Sequence, residues 1–182
     1  MGYAIAAAAA DLGAETILIS GPTALAPPAG VQYVPIEATS ELHDAVRKYF
    51  EAADCLVMSA APSDYRPVQA HGSKLKRTGS LQLQLEPTVD ILKDIAPSRR
   101  PGQIVVGFAL ETNNGVENAR RKLTEKHLDL IVLNLAGEDS GFSTDTNRVT
   151  ILRPDEEPDE WPLLPKDEVA RRLMVLVAEL FS

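Results

Sequence analysis

Cys55-Leu56-Val57-Met58-Ser59-Ala60-Ala61-Pro62-Ser63-Asp64-Tyr65-Arg66-Pro67, followed by Lys74-Leu75-Lys76-Arg77, is the stretch from which the fold is read. Cys55 to Met58 is a short apolar run that suits a buried strand of a parallel sheet. Ser59 to Ser63 are small, which lets a ligand approach the backbone, and Pro62 stops strand pairing. Asp64 then falls beyond the carboxyl end of the strand, where open α/β sheets bind ligands. Ten residues on, Lys74 opens a basic cluster with Lys76 and Arg77. One carboxylate and several cations at the mouth of a sheet suggest a nucleotide or another polyanion. A plainer reading fits the same residues: a strand end, a Pro-rich turn and a solvated charge run.

Outward from this stretch, the chain alternates strands and helices. Met1 to Ala10 is a strong helix former closed by Gly13, and Thr16–Ser20 reads as a buried strand ending in the turn Gly21-Pro22. A doubly wound fold normally opens with a strand and a glycine-bearing turn before its first helix, so that pair is expected upstream. Val31–Ile36 reads as a strand. Thr39 or Ser40 is placed to cap a helix whose residues Leu42, Ala45, Val46, Tyr49 and Phe50 share one face. Leu81 to Leu85 alternates strictly, predicting a half-buried strand in an antiparallel excursion off the βα rhythm that meets a partner subunit. Thr88 is placed to cap a short helix over 89–96. Ile104–Phe108, Leu130–Leu133 and Arg148–Leu152 read as strands, with helices over 115–126 and 166–181. Pro154 to Glu160 reads as an acidic hairpin tip, returning through a short strand over 161–164. The expected architecture is α/β: one Rossmann-like, three-layer domain over 1–182, with a mainly parallel sheet and an antiparallel dimerisation excursion.

Composition narrows the partners. The 182 residues carry a formal net charge of −8, which argues against non-specific binding to nucleic acid or an anionic membrane. The single cysteine, Cys55, leaves no disulfide framework and reads as an inert core thiol. No apolar run approaches the roughly 20 residues that span a bilayer, and the start lacks signal-peptide features. A cytoplasmic protein is the simplest expectation.

Several chemistries are missing from the sequence: the phosphate loop, the Gly-x-Gly-x-x-Gly fingerprint, the Gly-x-Ser-x-Gly elbow and the Tyr-x-x-x-Lys pair. His43, His71 and His127 are scattered without metal-ligand spacing and read as surface residues. What remains lies at strand ends: Ala60, Ala61 and Asp64, then Lys74, Phe108 and Asn134, with Lys122 and Lys126 sharing a helix face. Asp64 is suited to accept hydrogen bonds from a ribose or a base amine. The lysines are suited to neutralise a triphosphate and the charge that builds as pyrophosphate leaves. For Lys122 and Lys126 a solvated helix face is the alternative.

From Met1 to about Leu152 the chain resembles the phosphopantothenate–cysteine ligase family, the synthetase half of the bacterial bifunctional coenzyme A biosynthesis flavoprotein. The matching pieces are Met1–Ala6, Leu18–Pro22, Ser59–Pro67, Lys74–Arg77, Val89–Leu92, Val106–Thr112, Asp129–Asn134 and Gly141-Phe142. Each piece is weak alone; their order and spacing together are specific. The resemblance implies a reaction in which the 4′-phosphopantothenate carboxylate attacks the α-phosphate of CTP. The resulting acyl-cytidylate then yields to L-cysteine, with Mg²⁺ assisting the triphosphate step. It implies nucleotide contacts at Met58, Ser59, Ala60, Ala61, Asp64, Lys74, Thr88, Val89, Asp90, Ile91, Phe108, Lys122 and Lys126, and a catalytic role for Lys74. It implies a substrate contact at Asn134, leaves the metal ligands unknown, and expects FMN only where a decarboxylase domain is fused upstream. It also implies a homodimer, expected to bury Leu81, Leu83 and Leu85 together with the acidic hairpin around Pro154–Trp161.

The chain departs from the family pattern in three places. The family's Ser-Ser-Gly-Lys turn precedes the Met-Gly with which this sequence begins. Thr88-Val89 stands where the family has Asn-Pro, and Leu135 replaces an aspartate. Two other classes remain open on the residues alone: a Rossmann-like oxidoreductase and a non-catalytic α/β binding module.

Overall fold

A computed structural model describes residues 1–69, 73, 76, 79–111, 113–135 and 145–181. Helix α1 (Gly2–Asp11) ends two residues before Gly13, whose φ of +87° is the left-handed conformation that glycine adopts without a Cβ penalty. Strands β1 (Thr16–Ser20) and β2 (Val31–Pro35) pair in parallel, Thr16 opposite Val31 and Ser20 opposite Pro35. Helix α2 (Thr39–Phe50) follows, then β3 (Cys55–Met58). Strands β4 (Tyr65–Pro67) and β5 (Leu85–Pro87) form an antiparallel pair of their own. Helix α3 (Ile91–Ile95) runs on into a 3-10 turn, Ala96–Ser98. Then come β6 (Ile104–Glu111), α4 (Gly115–Glu125), β7 (Leu130–Leu135), β8 (Thr146–Asn147), β9 (Val149–Leu152), β10 (Asp159–Glu160), β11 (Leu164–Pro165) and α5 (Lys166–Glu179).

The main sheet has the order β10-β9-β7-β6-β3. Strands β3, β6 and β7 run parallel, β3 at one edge, with Met58 opposite Gly107 and Val106 opposite Leu130. Strands β9 and β10 add antiparallel pairs at the far edge. Apolar side chains on both faces explain why β6 and β7 are continuous hydrophobic runs: Val106, Leu130, Val132 and Leu133 are fully buried. One face is covered by Leu42, Val46 and Phe50 of α2, Ile91, Leu92 and Ile95 of α3, and Ala119 and Leu123 of α4. The other is covered by Ile5 and Ala9 of α1 and by Val169, Leu173 and Val177 of α5. The expected three-layer α/β arrangement is thus the observed one, with a sheet that is parallel over β3, β6 and β7 and antiparallel toward the opposite edge.

Several local expectations are corrected. β1 is half-buried rather than buried, because it pairs only with β2 and is not hydrogen-bonded to β3. Yet Ile19 of β1 and Leu56 of β3 pack against the same core cluster. α2 is not capped by Thr39 or Ser40. The Glu41 carboxylate instead reaches back to the amides of Glu37 (2.6 Å) and Ala38 (3.1 Å). The expected Leu81–Leu85 strand begins only at Leu85, and its leucines are bare: Leu81, Leu83 and Leu85 are 66%, 63% and 55% exposed. Asp159–Glu160, expected in a hairpin tip, pairs with β9 as β10, and the return strand is Leu164–Pro165 against β8.

Candidate functional site at the carboxyl edge of the sheet

The loop leaving β3 is held by one residue from the far side of the antiparallel excursion. Thr88 donates its amide to the carbonyl of Asp64 at 2.9 Å and its hydroxyl to the carbonyl of Ser63 at 2.6 Å. Thr88 therefore does not cap α3 as expected. Asp90 takes that place, with a side-chain oxygen 3.4 Å from the Lys93 amide. A threonine hydroxyl spent on a neighbouring loop carbonyl is unavailable to its own helix. Ala60, Ala61 and Asp64 are exposed on the pinned loop, while Met58 is buried at the strand end.

The first turn of α1 opens on the same edge. A Cβ on Gly2 would meet Ser59 Oγ at 2.8 Å, so only glycine fits without a shift, and Tyr3 donates to Ser20 Oγ at 3.3 Å. α1 thus starts between the ends of β1 and β3.

Helix α4 supplies the cations. Asn118, Lys122 and Lys126 recur every four residues and share a face. Neither lysine is a free solvated charge. Lys122 Nζ lies 2.5 Å from Glu111 Oε1 at the end of β6, and Lys126 Nζ lies 3.1 Å from Asp90 Oδ2. Asn118 Nδ2 donates to the other Glu111 oxygen at 3.1 Å. The Lys122 hydrogen bond, against partial burial, holds the Glu111 carboxyl below the usual carboxylate range, with Asn118 and Arg121 adding to the effect.

Phe108 is half-buried in β6, packed against the cluster shared by α1 and α5. Ile91 is buried in the core, which leaves its backbone rather than its side chain toward the edge, whereas Val89 is 52% exposed. Asn134 sits opposite Leu110 and Val149 near the end of β7, and its buried Oδ1 has no hydrogen-bond partner among the described residues. Lys74, Leu75, Arg77, Thr112, Gly141 and Phe142 lie outside the described residues.

The other reactive side chains do not compete for this role. Burial pushes the Cys55 thiol up to about 12, with Asp129 and Asp54 adding to it, so it is no thiolate at neutral pH. His43, expected on the surface, is instead largely covered, 2.8 Å from Asp94 and 3.3 Å from Asp44. No group of three or more His, Cys, Asp or Glu gathers among the described residues. No helix among them is long and apolar enough to cross a membrane.

Sequence reasoning missed Glu111. Its only signal is a carboxylate at the last position of a buried strand. Its pairing with Lys122 crosses a turn that no periodicity spans.

Known proteins resemble this chain in sequence and fold. The chain is 40% identical over 183 residues to the Coenzyme A biosynthesis bifunctional protein CoaBC of Bacillus subtilis, covering 99% of this chain and 45% of that protein. It is 41% identical over 166 residues to the protein of the same name from Mycobacterium bovis, covering 85% of this chain and 40% of that protein. The chain thus spans about half the length of the curated relatives it matches. The crystal structure of the C-terminal domain of Coenzyme A biosynthesis bifunctional protein CoaBC superposes with a TM-score of 0.82 at 41% identity, covering 98% of this chain and 81% of that one. Residues 1–181 match the family model for the DNA/pantothenate metabolism flavoprotein C-terminal domain, and the chain belongs to that family.

Proposed function

We propose that this chain is a phosphopantothenate–cysteine ligase, forming the amide between 4′-phosphopantothenate and L-cysteine at the expense of CTP in coenzyme A biosynthesis. The observation that carries the reading is the shared edge. The small-residue loop with Asp64, Lys122 on the Glu111 carboxylate and the unpartnered Asn134 side-chain carbonyl lie at the ends of parallel strands β3, β6 and β7, with Lys126 held on the Asp90 cap of α3. An open α/β sheet binds its ligands there.

In this reading a carboxylate oxygen of phosphopantothenate attacks the α-phosphorus of CTP, and the bond to pyrophosphate breaks. The cysteine amine then attacks the acyl carbon, loses its proton as the amide forms, and CMP leaves. The backbone at Met58, Ser59, Ala60 and Ala61 lies against the base, and Asp64 accepts from the ribose or base amine. Thr88, Val89, Asp90 and Ile91 border the nucleotide beside Phe108. Lys122 and Lys126 take the triphosphate, and Lys74 meets the charge that builds at the α-phosphate. Asn134 contacts the pantothenate side.

Mg²⁺ would neutralise phosphate charge. It is commonly held by substrate phosphates with one or two carboxylates, a demand that the exposed Asp64 suits. FMN would belong to a decarboxylase unit elsewhere in a longer polypeptide. The 182 residues form one ligase domain. The core cluster that β1 and β3 share, although the two strands do not pair, supports that reading. The working enzyme is a cytoplasmic homodimer.

The test is pyrophosphate release with 4′-phosphopantothenate and CTP or ATP, followed by amide formation on adding cysteine. It is run on this chain and on the chain extended at its amino end. A site that reads a base edge by hydrogen bonds favours the matching base by orders of magnitude. CTP is therefore expected to outrun ATP by at least about 10²-fold. Equal use of both overturns the choice of CTP, and no pyrophosphate with either nucleotide overturns the function.

A further inference from the structure

We infer that Glu111 is a positioning residue for the phosphate-binding side chain of Lys122, a role that rests on the nucleotide reading of this edge. Glu111 is the last residue of β6, and its side chain is only 16% exposed. Both carboxylate oxygens are engaged from α4, one by Lys122 Nζ at 2.5 Å and the other by Asn118 Nδ2 at 3.1 Å. Asn118 also lies within 3.4 Å of the Asn113 carbonyl, in the turn between β6 and α4. The carboxylate is thus fixed by the strand that carries it and by the helix that it faces.

Lys122 has three N–H donors, and Glu111 takes one. The remaining donors are held at the strand edge on a stem that is only 35% exposed. An unanchored lysine surrenders much of its rotamer freedom when a ligand fixes it. Here folding has met most of that cost in advance, so the lysine enters phosphate binding already placed.

A competing reading makes Glu111 a counterion that an incoming polyanion must displace. The two make opposite predictions. A displaced counterion weakens anion binding, so its removal tightens binding. A positioning carboxylate strengthens anion binding, so its removal weakens it. The engagement of both oxygens by one helix favours positioning, since a carboxylate retained only as a loose counterion has no need of Asn118.

The experiment is calorimetric titration with inorganic tripolyphosphate, which needs neither base nor pantothenate. It uses the parent chain, Glu111→Ala, Glu111→Gln, Lys122→Met and the Glu111→Ala/Lys122→Met pair, each checked for folding by circular dichroism. Glu111→Ala is expected to weaken tripolyphosphate about tenfold, the scale of one charge-assisted hydrogen bond. Glu111→Gln keeps one acceptor oxygen for Lys122, so it should weaken binding less than Glu111→Ala does. In the Lys122→Met background, Glu111→Ala should add no more than about twofold, because its effect runs through that lysine.

Tighter binding in either Glu111 variant, binding within twofold of the parent in Glu111→Ala, or an equal loss with and without Lys122 overturns the inference. Should Glu111→Ala fail to fold, Glu111→Gln decides: weaker binding that depends on Lys122 upholds the inference, and unchanged or tighter binding overturns it. A parent that binds tripolyphosphate yet makes no acyl-cytidylate sinks the ligase reading and leaves Glu111 to be decided by its variants. A parent that binds no tripolyphosphate overturns both.

Discussion

Lys126, the residue that ends α4, grips both carboxylate oxygens of Asp90, the residue that caps α3, with Nζ 3.1 Å from Oδ2 and 3.2 Å from Oδ1. One carboxylate therefore starts a helix and holds a cation from a neighbouring helix. Asparagine caps as well as aspartate but carries no charge, so the two roles separate. Asp90→Ala is expected to lose about 1 kcal/mol of stability, the usual value of a cap. Asp90→Asn should keep most of that stability while freeing Lys126. Thermal unfolding checks this: Asp90→Ala should melt about 2–4 °C below Asp90→Asn. Equal melting temperatures would show that the cap contributes nothing.

Lys74 carries the catalytic expectation, although it lies outside the described residues. A point charge on a flexible stem suits phosphate oxygens that move during reaction. A cation aimed at charge that develops in the transition state lowers the barrier more than it tightens ground-state binding. Lys74→Gln should cut acyl-cytidylate formation about 10²–10³-fold. CTP binding should weaken far less. Lys76→Gln is the control, measured by rapid-quench detection of the cytidylate. A Lys74→Gln enzyme within a few-fold of the parent, or a Lys76→Gln enzyme equally damaged, removes the role.

The bare leucines of the excursion predict an interface. Leu81, Leu83 and Leu85, with Tyr65 (62% exposed) and Val68 (54% exposed), leave apolar side chains in water on and beside a short antiparallel pair. Light scattering at micromolar concentration should give a two-fold dimer. The double change Leu81→Glu with Leu83→Glu should give a folded monomer. A monomeric parent, or a double variant that stays dimeric, would count against that surface.

Acid should loosen the start of α5 in a defined window. Glu168, in the first turn, is held at about 2 against an ordinary 4.5 by its hydrogen bonds to Arg171 and Arg172. A carboxyl whose folded value is lowered stabilises the fold in full above the ordinary value, and that contribution fades as pH falls toward the folded one. The melting temperature of the parent should exceed that of Glu168→Gln at pH 6. The gap should narrow below about 4.5 and close near about 2. A gap that stays constant across this range would show that the ion pairs contribute nothing to stability.

The sequence alone determined the succession of elements, because apolar period and turn residues are local properties. Leu42, Val46 and Phe50 announced the buried face of α2, and the runs Ile104–Phe108 and Leu130–Leu133 announced inner strands buried on both faces. It also located the candidate edge, since Asn134 directly follows one apolar strand run and Asp64 follows another across the small residues Ser59 to Ser63. Tertiary structure alone decided what those residues touch. Lys122 with Glu111, Lys126 with Asp90, and Thr88 with the 59–64 loop are pairings across 11, 36 and 25 positions, and no local period encodes them. The same is true of β1, whose apolar run reads as buried but whose exposure depends on which strand lies beside it. Hydrophobic pattern tells a side chain to leave water; only the assembled chain supplies the partner on which its charge or hydrogen bond is spent.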